Sequence, residues 1–308
     1  MRISAALVVL FIILVGLILA SIIVYILSKR KSAEEQIIAT KLTGCGKCTF
    51  LSKKQTEMLL QQDSDGYIRG LTLMDLCARR VSSRDEYRIL AVRSAGEFTD
   101  DEKDRLNRLT CDIDRMAQAK GATLQKYGID AKRYAAIPWN LAITRKYDYE
   151  HGFPHTRGTT VFLSNDALTQ NDDGLKVTLF HEKVHLYQKT YPADARAYID
   201  SNGYKLKGER VFYYPDSRSN PDIDKYVYTD KDGRVLVARY TKECPASLND
   251  IDIDYREEHP FEVQAYQSTA DVFKTNTDDD IRKYDGDGDG DGTDGSGYAD
   301  NYGKSRMF

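Results

Sequence analysis

Histidine is scarce in this chain and unevenly placed: of 308 residues only five are His, and none precedes His151. An imidazole-based site is therefore excluded from the first 150 residues. A strong net charge is also missing. Lys and Arg number 44 against 47 Asp and Glu, a balance of −3, which argues against nucleic acid as the main partner. No internal repeat is evident. Cysteine is sparse and odd in number, so any disulfide scheme for Cys45, Cys48, Cys77, Cys111 and Cys244 leaves one thiol over, which mildly favours a reducing compartment. The pair Cys45-Gly46-Lys47-Cys48 has no second CxxC to complete a zinc ribbon. It also lacks the proline and βαβ frame of a thioredoxin, although 36–40 reads as a strand before it. Thiols, a disulfide, or a structural zinc shared with Cys77 and Cys111 all stay open.

What is present is concentrated at His181-Glu182-Lys183-Val184-His185. Positions i and i+4 share one helix face, so both imidazoles can address one ion while Glu182 lies beside them. Apolar residues at 175, 179, 180, 184 and 187 follow a helical period, Asn171, Asp172 and Asp173 offer N-caps, and Pro192 closes the run. The spacing thus predicts a helix of about four turns around the motif. The competing reading is an amphipathic helix with two ordinary histidines. A third ligand is expected downstream, where 257–266 reads as a second helix with Pro260 in its first turn. Glu262, one turn inside and followed by the small Ala265, fits best. Glu258 and His259 compete.

The HExxH pattern resembles that of the zincin metallopeptidases. The resemblance covers roughly 135–275 and implies Zn2+ held by His181, His185 and Glu262, with Glu182 as the base that takes a proton from the zinc-activated water. It is specific only at the ligands: Gln188 and Tyr191 stand where the metzincin extension has Gly and His, and the second helix lacks the NExxSD-like signature of the thermolysin type. The resemblance further implies an α+β fold, a zincin-like domain with a small mixed sheet, the HExxH helix and a second ligand helix. In that fold the strand 159–164 would form the sheet edge above the metal and pair with extended substrate. The loop 152–158 would then lie near the cleft, with His155 or Arg157 as substrate contacts. His155 and Tyr266 are the candidates for stabilising the transition state. The loop, strand and motif together also look like zincin-type proteins encoded by large DNA viruses.

The remaining chain divides by composition. Ile3 to Leu27 is 25 residues without a charge, about 37 Å as a helix, enough to cross a bilayer. Ala20-Ser21 is a poor cleavage site, so an uncleaved single-pass anchor is expected over 1–31. Lys29, Arg30 and Lys31 outweigh Arg2 and the terminal amine, which weakly places the C-terminal part on the cytoplasmic side. A linker with the CxxC pair follows over 32–49. Capping spacings at Ser52/Gln55, Thr72/Asp75, Ser83/Glu86 and Thr99/Glu102, with an apolar stripe at Leu106, Leu109, Ile113 and Met116, predict a helical subdomain over 50–130. It would be packed against, or continuous with, a catalytic domain over 131–275. Strands are expected at 141–144 and in a hairpin insertion at 207–214 and 225–240 with Asp232-Gly233 as its turn. The tail 276–308 is acidic and rich in Asp and Gly, and should be disordered. Asp285, Asp287, Asp289 and Gly290 match part of a calcium loop, but Ser296 stands where its bidentate glutamate belongs.

Two functions are compatible with this reading. One is a membrane-anchored zinc metallopeptidase acting on a peptide or protein. The other is a membrane-tethered structural or assembly protein, such as one of a virion, that keeps a zincin fold without turnover.

Overall fold

Four serine and threonine residues start the helices of the N-terminal half as their spacing predicts. The computed structural model describes residues 48–145, 149–253 and 255–274. Ser52, Thr72 and Thr99 each accept from the amide three residues on, and Gln55, Asp75 and Glu102 return the bond, opening α1 (Lys53–Gln62), α2 (Leu73–Ala78) and, at Thr99, the long helix α4 (Asp100–Ala119). Ser83 caps α3 (Arg84–Ser94) on one side only, because the Glu86 carboxylate takes the amide and hydroxyl of Ser82 instead. Two short helices, α5 (Gly121–Gln125) and α6 (Ala131–Ala136), lead into the sheet.

The fold is mixed α/β around a small mixed sheet. Strands β1 (Cys48–Phe50), β2 (Trp139–Thr144), β3 (His155–Arg157) and β4 (Thr160–Ser164) lie in the order β1-β2-β4-β3, with β3 antiparallel to β4 and the other pairs parallel. The β-branched run 160–164 is therefore an inner strand, and the sheet edge belongs to β3. The sequence hid this because Gly158-Thr159 makes a tight reversal and leaves β3 only three residues, too few for a visible alternation. After the short α7 (Asn165–Thr169) comes α8 (Asp172–Thr190), the HExxH helix, capped by Asn171 on Gly174. Leu106, Leu109 and Ile113 of α4, Trp139 and Leu141 of β2, and Leu175, Leu179, Phe180 and Val184 of α8 share one buried core, with Met116 at its margin. The helical part and the motif helix are thus joined through apolar packing.

Helix α9 (Pro192–Ser201) leads to a second sheet, β5 (Lys205–Glu209), β6 (Tyr226–Thr229) and β7 (Val235–Leu236), all antiparallel. The turn between β6 and β7 sits at Asp232-Gly233, where Gly233 has φ of +83°. The first arm of the expected hairpin is only half strand: Arg210–Tyr213 form a turn of helix, α10, because Arg210 turns inward to bond Ser217 and Ser219. The second ligand helix, α11 (Pro260–Phe273), has Pro260 at its first position and packs on α8.

Cys77 is bonded to Cys244, and Cys111 is also in a disulfide, so the zinc clasp of Cys45 and Cys48 with Cys77 and Cys111 does not form. Cys48 is a free thiol, half-buried against Thr110. Among the described residues no helix is long and apolar enough to cross a membrane. The run Ile3–Leu27, the strand expected at 36–40 and the acidic tail lie outside the described residues.

Candidate metal centre

One helical turn separates His181 from His185, and their Nε2 atoms come to 3.0 Å from each other. Glu262, on α11, brings Oε2 to 3.4 Å from the first and 3.6 Å from the second. A tetrahedral ion with bonds of about 2.0–2.1 Å holds its ligand atoms about 3.3–3.4 Å apart, so the three buried donors lie within a few tenths of an ångström of the spacing such an ion requires. Their surroundings favour positive charge. Burial alone would lower the imidazole of His185, but the carboxylates of Glu262 and Asp222 outweigh it and raise the group to about 9. For Glu262, burial is likewise outweighed, by the two imidazoles, and its carboxyl falls well below the usual carboxylate range.

The ligand atoms are oriented by neighbours that hold them in place. His185 Nδ1 meets Gln188 Oε1 at 2.8 Å, and Gln188 Nε2 donates to Gln264 Oε1 and to the Phe261 carbonyl. Since the amide oxygen can only accept, the neutral imidazole that a metal would bind keeps its proton on Nδ1 and presents Nε2 to the ion. The ring of His181 packs against Tyr266 with centroids 4.4 Å apart, while its Nδ1 has no hydrogen-bond partner among the described residues. Asn220 donates to Glu262 Oε1 at 2.7 Å, which turns Oε2 toward the histidines.

The two competing ligands are otherwise engaged. Arg218 grips both oxygens of Glu258, and Asn220 donates to one of them. His259 sets Nε2 against Asp224 at 3.2 Å and accepts from the Phe261 amide on Nδ1, so neither ring nitrogen is free for the site.

Glu182 is buried beside the triad. Its Oε2 accepts from Thr156 Oγ1 at 2.9 Å, and burial, then the carboxylate of Asp222, push its carboxyl well above the usual range. Thr156 belongs to β3, and this has a consequence for its neighbours. Successive strand residues face opposite sides, so His155 and Arg157 turn away from Glu182. His155 stacks on Phe162 and contacts the Tyr149 hydroxyl, and Arg157 pairs with Asp63 and Asp65. The expected roles of His155 in the transition state and of His155 or Arg157 in substrate contact are thereby corrected: the residue of this segment that reaches the site is Thr156. Tyr266 stays beside the site, against a ligand ring.

Five residues near the centre carried no signal that was read from the sequence. Gln188 was readable, lying at i+3 from His185 on the same face. Thr156, Lys189, Asn220 and Asp222 were not, because they meet only through tertiary packing. No protein family, curated protein or solved structure matches the chain.

Proposed function

We propose that the chain is a zincin-type zinc metallopeptidase with a glutamate third ligand, tethered to a membrane through 1–31. The observation that carries this reading is the placement of His181 Nε2, His185 Nε2 and Glu262 Oε2 at tetrahedral spacing, with the Glu182 carboxylate beside them. Zinc held there would polarise a peptide carbonyl and acidify a water. The chain supplies the rest. Glu182, held by Thr156, accepts the proton of the attacking water and delivers it to the leaving amine. Gln188 and Asn220 fix the ligand atoms, and the apolar packing of α8 and α11 excludes bulk water.

Zinc content and hydrolysis of a mixed peptide library, measured together, test the reading. Wild type should hold one zinc, and His181→Ala and Glu262→Gln should lose occupancy. Glu182→Gln should keep zinc and fold while losing about 10² to 10⁴ in turnover. Equal zinc in wild type and His181→Ala would remove the metal assignment, and full activity in Glu182→Gln would remove the general base.

The disulfide joining Cys77 to Cys244 and the bonded Cys111 belong to an oxidising compartment. They weigh against the cytoplasmic side, which rests on a margin of one basic charge near the anchor. We therefore place the catalytic part on the non-cytoplasmic face of its membrane.

A further inference from the structure

The outer edge of β3 is where an extended substrate would add a strand, and it is already taken. Thr156 donates its amide to Asp222 Oδ1, and its carbonyl accepts from the Lys189 ammonium. The same ammonium donates to the Pro221 carbonyl at 2.8 Å. Asn220, two residues before Asp222, reaches Glu262 and Glu258. Residues 218–224 therefore run along the edge strand and across the triad. Thr156 is 0% exposed although it lies on an edge strand, and His181, Glu182 and Glu262 are at most 7% exposed. β-Augmentation needs both outward backbone groups of such a strand. It cannot occur while Asp222 and Lys189 hold them.

The way this segment is held suits release. Its sequence, Arg218-Ser219-Asn220-Pro221-Asp222-Ile223-Asp224, contains one large aliphatic side chain, Ile223, and that is only partly buried. Its anchors are polar: Arg218 on Glu258, Ser219 on Asp75 and Arg79, Asp222 on Thr156. With one partly buried aliphatic side chain the segment gives up little apolar burial when it opens, and the buried bonds of Arg218 and Ser219 leave its N-terminal end as the hinge.

We propose that 218–224 is a built-in strap that occupies the place of the substrate strand and keeps the peptidase latent until it swings out. The proposal rests on the metallopeptidase reading. Release of the strap exposes the Thr156 amide and carbonyl for an extended peptide and opens a path to the triad.

The test uses the zinc-loaded full chain in detergent with a peptidyl hydroxamate as probe. Three quantities are read: zinc content, hydroxamate affinity and hydrogen exchange of the Thr156 amide. In wild type, the binding rate should level off as hydroxamate is raised, because strap opening limits it, and Thr156 should exchange slowly. Asp222→Ala removes the contact to Thr156 and should speed exchange of its amide and raise hydroxamate affinity, referred to the zinc-bound fraction, roughly tenfold or more. Asp222→Asn keeps an acceptor for the amide and should hold the exchange of Thr156 close to the wild-type rate, a readout that the lost charge beside His185 and Glu182 does not move. A wild-type binding rate that rises linearly with hydroxamate to the same affinity as Asp222→Ala would overturn the strap while leaving the zinc site intact. A wild type without zinc would instead remove the metallopeptidase reading, and the strap with it. Should Asp222→Ala not fold, the concentration dependence in wild type decides alone.

Discussion

Gln188 shows how one side chain decides what a histidine can do. Its oxygen accepts from His185 Nδ1, and its amide nitrogen is fixed by Gln264 and Phe261, so it cannot rotate to offer a donor instead. Gln188→Leu should retain the fold and lower zinc affinity by about 10- to 100-fold, measured by competition with a chromophoric chelator. An unchanged affinity would mean that His185 is oriented by packing alone. A second residue works through charge. Glu150 is buried with a φ of +46°, a backbone region that costs a non-glycine residue energy, and it is held there by Arg79, Tyr67 and Tyr87. Burial raises its carboxyl, but Arg79 prevails and brings it from 4.5 to about 2. The folded value is the lower one, so this carboxylate stabilises the fold fully above 4.5, and the contribution disappears as pH falls from 4.5 toward 2. It amounts to roughly 3 kcal/mol. Urea unfolding from pH 6 to pH 3 should show more than half of that loss in wild type and a flatter profile in Glu150→Gln, which starts less stable because Arg79 is left buried and under-paired.

At the scale of elements, the HExxH helix is buried on nearly every side, and this explains a lysine inside the motif. Lys183 points away from the side of His181 and His185 and pairs with Asp114 of α4, its ammonium 4.3 Å from the Trp139 ring centroid. Trp139 Nε1 donates to the other Asp114 oxygen. The pair registers α8 against α4 and β2, the elements that set the height of the two histidines. Asp114→Ala strands a buried ammonium and should cost about 3–5 kcal/mol in chemical denaturation. The double variant Asp114→Leu with Lys183→Met should recover most of it, because a buried ion pair adds little over apolar residues of similar size. A double variant no better than the single would show that the pair has a role beyond neutralising Lys183.

For the molecule as a whole, the Cys77–Cys244 bond closes a loop across 167 residues, tying α2 to the stretch beyond β7. Cys244→Ser should destabilise the fold by about 2–5 kcal/mol in denaturant. On the proposed topology, residues 48–274 should resist added protease in vesicles from expressing cells until detergent is supplied. Digestion in cytoplasm-facing vesicles would place them on the cytoplasmic side after all and restore the charge rule.

The sequence by itself determined what depends on near neighbours. Helix starts at Ser52, Thr72 and Thr99, the extent of α8, the apolar stripe of α4 and the pairing of His181 with His185 are all set within one or two turns, where 3.6-residue periodicity and capping act. Glu262 was legible as an acid close to the helix start that Pro260 marks, although the helix begins at Pro260 and not at 257, so Glu262 lies in its first turn and not one turn inside. The tertiary structure decided whatever required distant segments to meet. That Glu262 and not Glu258 or His259 faces the histidines depends on Arg218 and Asp224 claiming the other two. That Thr156 and not His155 reaches Glu182 depends on a three-residue strand whose facing is fixed only by pairing with β4. The path of 218–224 over the site has no local periodicity to announce it, because its bonds to Glu258, Thr156 and Asp75 run to residues 40, 66 and 144 positions away along the chain. Local sequence carries local geometry, and contacts of that separation exist only once the core has closed.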